Sequence, residues 1–198
     1  MLLLQELSEL LQAQDPEERQ IITGVSWESY EALLDDLGDS LEYRVTYLDE
    51  VIELMSPSRR HEKDKNRVGH LLEIYFDEKR IPYFPLGSTT FRKQAKKGGL
   101  EPDESYCIGT EKEFPDLAIE IVVSSGGINK LEVYKRLGVK GVWFFINNQF
   151  TVYHLRGENY EVIARSELLP DLDLAILAES VISEYPLEAA LAFREKIK

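Results

Sequence analysis

Acidic residues and one lysine gather around a β-favouring run in the second half of the chain. Asp103 precedes the run, Asp116 and Glu120 lie at its start and inside it, and Lys130 follows it. Two or three carboxylates can hold a hard divalent cation through oxygen, and a lysine can orient water or offset charge on a phosphate. These residue types predict a metal site that cuts phosphodiesters. A plainer interpretation stays open, in which the aspartates are turn residues and Glu120 faces solvent.

The surroundings of Glu120 favour the metal site. Glu120 is the single charge in the apolar run Leu117 to Val123, so a strand here would be covered on both faces. A buried carboxylate without a partner is costly, so it is neutralised, paired or bound to a metal. Asn129 can cap a helix that starts at Lys130, and the apolar run 139–146 predicts another strand. The segment therefore predicts a strand, helix, strand unit with a parallel pair of strands.

Short motifs follow one another in order between Tyr43 and Trp143. They are Glu53-Leu54-Met55-Ser56-Pro57-Ser58 with His61, Gly87-Ser88-Thr89-Thr90-Phe91, Glu101-Pro102-Asp103-Glu104-Ser105-Tyr106, Pro115-Asp116-Leu117-Ala118-Ile119-Glu120, Ser125-Gly126-Gly127-Ile128-Asn129-Lys130-Leu131-Glu132-Val133-Tyr134 and Leu137-Gly138-Val139. This ordered set resembles the Uma-type restriction endonucleases, a family of the PD-(D/E)XK nuclease superfamily. The order of the motifs is far more specific than any single motif.

The resemblance implies a fold, an activity and partners. The fold would be α/β in the broad sense (α+β), with a restriction-endonuclease-like mixed β-sheet flanked by helices. The activity would be Mg²⁺-dependent hydrolysis of DNA phosphodiester bonds, with Mn²⁺ able to replace Mg²⁺. Because a protein that cuts both strands commonly works as a dimer, the resemblance also implies a homodimer.

The resemblance assigns catalytic roles to three residues. Asp103 is the aspartate of the first motif and Glu120 the acidic residue of the second, and both would be metal ligands. The usual lysine would fall at Val122, where valine cannot replace it. Lys130 is similar to the migrated lysine of some superfamily members. Since some relatives carry arginine there, which cannot accept a proton, charge stabilisation is the expected role. At a helix start, Lys130 should bury little apolar area.

Three further residues are accessory candidates with alternatives left open. His61 could contact a phosphate or a metal-bound water, or it could make a structural hydrogen bond at a strand-to-helix turn. Glu53 could be a further acidic ligand or the partner of a basic side chain. Asp116 precedes Glu120 by four residues, which separates them by roughly 13 Å along a strand. The two can hardly share one ion, so Asp116 is expected to be a strand-entry or turn residue.

Composition predicts one domain over residues 1–198, since 198 residues with 43% hydrophobic content can bury a sizeable core. The nuclease-like core is expected at about 41–165. N-terminal helices are predicted within 1–38: one from Leu2 to Gln12, broken at Asp15-Pro16, and one capped by Ser26. A final helix is predicted at 186–197, and the polar stretch Lys93 to Gly99 is predicted to be a loop that could lie over the site.

Charge argues against a nuclease. The formal net charge is −13, from 36 acidic and 23 basic residues, whereas phosphate binding draws on clustered Lys and Arg. Basic residues do cluster at 59–67 and at 92–97, where each cluster is either a phosphate contact or a solvated surface. Two other functions therefore stay open. One is a catalytically inactive nuclease fold that binds DNA or regulates, and the other is an oligomeric scaffold without nucleic acid.

The remaining features predict a cytoplasmic protein without a membrane partner. The lone Cys107 excludes an internal disulfide and lacks the partners of a zinc site, so it is expected in the core of a strand. No apolar run approaches the roughly 20 residues that span a bilayer. The N-terminus turns acidic at once and lacks the basic flank of a signal peptide.

Overall fold

Two β-sheets and five α-helices make up residues 17–38, 42–123 and 127–198, which the computed structural model describes. The strands are β1 (Glu18–Thr23), β2 (Arg44–Leu48), β3 (Val51–Ser56), β4 (Tyr83–Pro85), β5 (Phe91–Lys93), β6 (Gly98–Leu100), β7 (Glu104–Ile108), β8 (Leu117–Val122), β9 (Gly141–Ile146), β10 (Gln149–Arg156) and β11 (Asn159–Ile163). The helices are α1 (Trp27–Leu37), α2 (Arg59–Lys79), α3 (Lys130–Leu137), α4 (Leu174–Ile182) and α5 (Pro186–Ile197).

The first sheet is antiparallel throughout, with strand order β1-β3-β2-β6-β5. Asp49 and Glu50 join β2 to β3 and have φ values of 46° and 67°, the left-handed conformations of a two-residue hairpin turn. The sequence predicts this hairpin, because strand-like alternation over Tyr43, Val45 and Tyr47 is followed by a turn at Asp49-Glu50. A two-residue turn fixes the register of the two strands, so it also fixes where Glu53 stands on β3.

Strand β1 lies between the two predicted N-terminal helices, in a stretch to which the sequence prediction gave no element. The helix capped by Ser26 is confirmed, but residues 18–23 pair with β3 from Glu18 opposite Ser56 to Thr23 opposite Val51. Ile21 and Ile22 are about half exposed, at 51% and 45%, so pairing with β3 rather than core burial holds the strand. The predicted helix Leu2 to Gln12 lies outside the described residues.

The second sheet has the order β11-β10-β9-β8-β7-β4 and is mixed. Strands β8 and β9 are parallel, while the other neighbours are antiparallel. The parallel pair confirms the strand, helix, strand unit predicted around α3. The α+β class with a mixed sheet flanked by helices is also confirmed. The predicted fold class named one sheet, and the structure has the first sheet besides it.

Helices cover both faces of the second sheet. Helices α2, α4 and α5 bury one face in a core that includes Leu72, Ile119 and Trp143. Helix α3 covers the other face, where Val133, Tyr134 and Leu137 pack against residues of β6, β8 and β9. Burial of each such side chain contributes about 1.5–3 kcal/mol, and it fixes α3 above β8. That the whole chain forms one domain stays a prediction.

The sequence predicts a long helix that Ser58 or Pro57 opens and that ends at about Lys79, and α2 begins after Ser58. The hydroxyl of Ser58 accepts a hydrogen bond from the backbone N–H of His61 at 3.1 Å, which satisfies one of the free donors of the first turn. His61 itself is fully buried. The cap therefore directs the His61 ring inward, toward the ends of the central strands.

The stretch Lys93 to Gly99 is not the predicted loop over the site. It forms the hairpin of β5 and β6 around a single 3₁₀ turn, Gln94–Lys96. Arg136, at the C-terminal end of α3, donates to the carbonyl of Lys96 at 2.9 Å. The hairpin thus contacts the C-terminal end of α3, whereas Lys130 lies at the N-terminal end. Glycine-rich β6 pairs with both β2 and β5, and this pairing fixes the segment.

The C-terminal third contains one element that the sequence prediction missed. The sequence predicts a hairpin of strands at 151–155 and 160–164, and the pairing of β10 with β11 confirms it, as α5 confirms the final helix. Helix α4 was not predicted, although Asp173 before an apolar run is a typical start signal. Asp173 accepts hydrogen bonds from the N–H groups of Ala175 and Ile176. Cys107 is fully buried, as expected of a core residue.

Candidate active site

Asp103 and Glu120 lie side by side at the ends of two neighbouring strands. In the β7–β8 register, Glu104 lies opposite Ile119, and one further step places Asp103 opposite Glu120. Directly opposed residues of an antiparallel pair point to the same face. Both side chains are about 1% exposed. The structure thus brings together the two carboxylates that the resemblance assigns to a metal.

Hydrogen bonds hold both carboxylate oxygens of Asp103. Oδ1 accepts from Nε2 of His61 at 2.8 Å, and Oδ2 accepts from the N–H of Ile121 at 2.7 Å. Burial alone would raise the pKa of Asp103, but the hydrogen bond and charge of His61, with the charge of Lys130, lower it below its usual value. Asp103 is therefore a carboxylate at neutral pH.

His61 bridges two carboxylates. Its Nδ1 lies 2.5 Å from Oε1 of Glu17, and its Nε2 contacts Asp103. Burial lowers the pKa of His61, but the two acceptors outweigh burial and raise it to about 9, so the ring is an imidazolium that donates from both nitrogens. The ring therefore holds Asp103 rather than the strand-to-helix turn, and its contact with a phosphate or a metal-bound water stays a prediction.

Glu53 belongs to the same chain of charges. Arg19 donates from Nη2 to Glu17 at 3.1 Å and from Nη1 to Glu53 at 2.8 Å, and Glu53 also accepts from the N–H of Ile128 at 2.8 Å. Pairing with a base is thus the alternative that holds for Glu53. Sequence reasoning missed Glu17 and Arg19. Their one signal is a spacing of two residues, which places both side chains on one face of a strand.

The other carboxylate, Glu120, is held by α3. Lys130 donates from Nζ to Oε2 of Glu120 at 2.5 Å, and the hydroxyl of Tyr134 donates to Oε1. Lys130 and Tyr134 are one helical turn apart, so their side chains project from the same face of α3. From the sequence, Tyr134 is predicted only to share helical spacing with Leu131, Val133 and Leu137. Its four-residue spacing from Lys130 was the available signal.

Burial and neighbouring charge set the ionisation of this pair. Burial and the nearby Asp103 raise the pKa of Glu120, and Lys130 and Tyr134 offset this only in part. Burial would lower the pKa of Lys130, but the charges of Glu120 and Asp103 outweigh burial and raise it. Lys130 is therefore a cation. Its side chain is only 13% exposed, which corrects the expectation that Lys130 buries little apolar area.

Two ion-paired groups meet where Asp103 stands opposite Glu120, and among the described residues this network has an excess of acid. Its cations are Arg19, His61 and Lys130, and its carboxyl groups are Glu17, Glu53, Asp103 and Glu120. Glu101 lies near Lys130 as well; burial raises the pKa of Glu101, and Thr90 donates to it at 3.1 Å. Since acids outnumber bases, a further cation would be attracted here.

Asp116 lies apart from this network. It accepts hydrogen bonds from the N–H of Ile108 at 2.8 Å and from Lys112, in the turn that joins β7 to β8. Glu120 stands four residues further along β8. The geometry agrees with a turn residue and places Asp116 away from the paired carboxylates.

The basic cluster at 59–67 contributes to packing and ion pairs. Arg67 donates to the carbonyls of Val181 and Ser183 at 2.8 and 2.6 Å, which joins α2 to the end of α4. Lys65 lies 3.7 Å from Glu62, and both Arg60 and Lys63 lie 3.7 Å from Asp64. These side chains therefore have roles within the protein besides any contact with phosphate.

The raised pKa of His61 predicts a pH-dependent stability. Because the folded-state pKa, about 9, lies above the ordinary value of 6.5, the stabilisation is complete below pH 6.5 and is lost as the pH rises to 9. In metal-free protein, the free energy of unfolding should fall by about 3 kcal/mol over that range. Urea denaturation from pH 6 to 10 measures this fall.

The matched variants separate His61 from other titrating groups. His61→Asn should flatten the pH profile between 6.5 and 9, whereas His70→Asn, an exposed position on the same helix, should keep the wild-type slope. A His61→Asn profile parallel to that of the wild type would contradict the assignment.

Gly127 is required by the contact between Glu53 and the start of α3. Its φ is +111°, and a Cβ there would lie 1.8 Å from Oε2 of Glu53. Gly127→Ala should therefore displace Glu53 from the Ile128 N–H and destabilise the fold by about 2 kcal/mol or more. Gly109→Ala is the control, since Gly109 also has positive φ but nothing within 4 Å of its Cβ position. Thermal unfolding should show a clearly larger loss for Gly127→Ala, and equal losses would rule out the steric contact.

A comparison with known families agrees with this geometry. The Uma2 family, described as "putative restriction endonuclease", matches residues 27–183. No curated protein matches the chain. Among the described residues, no helix is long and apolar enough to cross a membrane. The match covers most of the chain and includes Asp103, Glu120 and Lys130, so the chain belongs to the Uma2 restriction endonuclease family, with the α+β fold of the PD-(D/E)XK superfamily.

Proposed function

We propose that this protein is a Mg²⁺-dependent endonuclease that hydrolyses phosphodiester bonds of DNA. Its membership of a restriction endonuclease family supports nuclease activity. The observation that carries the proposal is the pairing of Asp103 and Glu120 at the ends of β7 and β8, with Nζ of Lys130 at 2.5 Å from Glu120. An acid pair beside a lysine is the chemistry that the superfamily uses.

The donor set fits Mg²⁺, with Mn²⁺ as an equivalent. Within the described ranges, no set of three or more His, Cys, Asp or Glu side chains is arranged to hold a metal. Mg²⁺ is usually bound through one or two carboxylates and fills its octahedron with water and substrate phosphate. Asp103 and Glu120 would be those ligands, together with a backbone carbonyl near Ile121. The raised pKa of Glu120 agrees with this assignment, because it indicates a carboxyl whose burial is incompletely compensated.

Each protein group has a definable part in the reaction. The bound ion would lower the pKa of a water and polarise the phosphate. Asp103 is kept ionised and oriented by His61 and the Ile121 N–H. Lys130 remains protonated because its pKa is raised, so it would offset charge on the phosphate rather than accept a proton from water. Tyr134 orients Glu120 through its hydroxyl.

A nuclease fold that binds DNA without cutting it is the second candidate. It is favoured by Asp103, whose two oxygens both already accept hydrogen bonds from the protein, and by Val122 at the usual lysine position. A thermal shift on titration with Mg²⁺ or Mn²⁺ detects a metal site, and cleavage of plasmid or single-stranded DNA separates an enzyme from a protein that binds DNA without cutting it. A homodimer is part of the endonuclease proposal, and analytical ultracentrifugation tests it.

Substitutions of Lys130 test its role. If Lys130 supplies charge, Lys130→Arg should retain measurable plasmid cleavage, while Lys130→Ala should lose about 10²–10³-fold in rate, the effect of removing one charge-stabilising donor. If Lys130 must accept a proton, both variants should be equally inactive, because guanidinium stays charged. Single-turnover cleavage in Mg²⁺ measures the rates.

Folding has to be checked in parallel, because Lys130 is largely buried and its loss leaves Glu120 beside Asp103 without the cation. Lys135→Ala is the matched control. Lys135 lies on the same helix and pairs with Glu132 at 2.6 Å near the surface, so its loss should change neither cleavage nor stability appreciably. Wild-type rates in a folded Lys130→Ala variant would remove Lys130 from the mechanism.

A further inference from the structure

A cleft of about 300 Å³ opens directly beside the paired acid and lysine. It lies between the start of α3 and the ends of β8 and β9. Its lining includes Glu120, Val122, Lys130, Phe144, Ile146 and Tyr153. The cleft thus joins a charged end, formed by Glu120 and Lys130, to an apolar end.

The strand register explains why these side chains share one face. Across the parallel pair β8–β9, Glu120 lies opposite Phe144 and Val122 lies opposite Ile146. Alternate residues of a strand point to the same side, so Val122 lies on the same side as Glu120. Tyr153 of β10 lies opposite Val142 of β9, which is also on this side. The sheet therefore forms a continuous wall from the acid pair to Tyr153.

The wall is apolar, aromatic and partly exposed. Ile146 is 36% exposed, and Phe144 and Tyr153 are only partly buried. The two rings pack edge to face with their centroids 5.6 Å apart. Partly exposed aromatic rings next to a charged site offer a surface on which a flat ligand can stack.

The cleft lining includes Val122, the residue at which the sequence departs from the superfamily pattern. It occupies the position of the usual superfamily lysine, and here its side chain lines the cleft opposite Ile146. The amine is supplied instead by Lys130 at the start of α3, which donates to Glu120. The strand position is thereby free to be apolar, and the cleft extends without interruption from Glu120 to the aromatic pair.

Charge limits how a polyanion can bind to this protein. The net charge is −13, and both Arg19 and Lys130 at the cleft already contact carboxylates. Phosphate contacts alone would therefore give weak binding. Stacking of a base on an aromatic ring does not depend on net charge and contributes substantially for each base. In a duplex the base faces are hidden in the stack, so only an unpaired base can use such a wall.

We propose that the cleft receives one unpaired base next to the scissile phosphate, and that the preferred substrate is single-stranded DNA. The inference rests on the proposed nuclease function, since it takes the phosphate to lie at Glu120 and Lys130. A volume of about 300 Å³ lies at the lower end of ligand pockets and suits one nucleotide, whereas a duplex is far wider. The aromatic pair holds the base face, and Lys130 lies beside the attached phosphate.

Equilibrium binding with three probes tests the base contact. Fluorescence anisotropy is measured with Ca²⁺ in place of Mg²⁺ to suppress cleavage. The probes are a fluorescein-labelled single-stranded oligodeoxynucleotide, the blunt duplex of the same sequence, and a strand of equal length with abasic residues throughout. The single strand should bind about tenfold more tightly than either of the other two, within the range measured for base stacking on aromatic side chains. Equal affinity for the single strand and the abasic strand would overturn the proposal.

Variants of Tyr153 test which surface the base contacts. Tyr153→Leu should weaken binding of the single strand about tenfold and leave the abasic strand unaffected, while Tyr153→Phe should restore the affinity. The control is Phe150→Leu on the same strand, since Phe150 packs against Phe145 and Trp143 on the opposite face. Unchanged single-strand binding in Tyr153→Leu would overturn the proposal. Should that variant fail to fold, the comparison of single-stranded and abasic probes with the wild type still decides.

Cleavage is measured separately, so that failure of the cleft and failure of the nuclease proposal can be told apart. If the chain cleaves plasmid duplex in Mg²⁺ but binds single and abasic strands equally, the base site is wrong and the nuclease proposal stands. If single-strand binding depends on Tyr153 but no DNA is cleaved, the base site stands and the second candidate function replaces the nuclease. An absence of binding to all three probes overturns the base site.

Discussion

The constraint on which this structure depends is the cost of burying carboxylates. Asp103 and Glu120 are nearly inaccessible to water, and a charge buried without compensation is strongly destabilising. Each is therefore matched by its own cation, His61 for Asp103 and Lys130 for Glu120. A cation that is buried needs further partners in turn, so Glu17 contacts His61, and Arg19 joins Glu17 to Glu53. Such pairs contribute little net stability, but removing one member leaves its partner's charge buried without compensation, which destabilises the fold.

This requirement explains why distant parts of the chain meet at one point. Glu17 immediately precedes β1 and Arg19 lies in it, α2 provides His61 in its first turn, and α3 provides Lys130 in its first turn. Each element is fixed elsewhere, β1 by its ladder with β3 and the helices by their apolar faces. Packing of these faces thus positions the charges. Glu17 and Arg19 precede residue 27, where the family match begins, so the match does not include them.

Local signals predicted the elements that carry the acid pair, while long-range pairing determined the rest. The apolar run around Glu120, the Ser58 cap and the Asn129 cap are each visible within a few residues, so β8, α2 and α3 could be predicted. Strand β1 could not, because its isoleucines remain half exposed and its pairing partners on β3 lie 28 to 38 residues away. For the same reason the contact of Glu17 with His61 could not be predicted, because the two residues are 44 positions apart in the sequence.

The position of the amine links the chemistry of the site to its shape. A lysine two residues after Glu120 would share the sheet face that Val122 occupies, because alternate residues point to one side, and it would place a charge between Glu120 and Ile146. Moving the amine to the first turn of α3 keeps a cation on Glu120 while leaving that face apolar. The departure from the superfamily pattern at Val122 is therefore compensated electrostatically by Lys130, and its structural effect is an apolar wall beside the acid pair. One substitution thus bears on both the charge of the site and the kind of ligand that can lie against it.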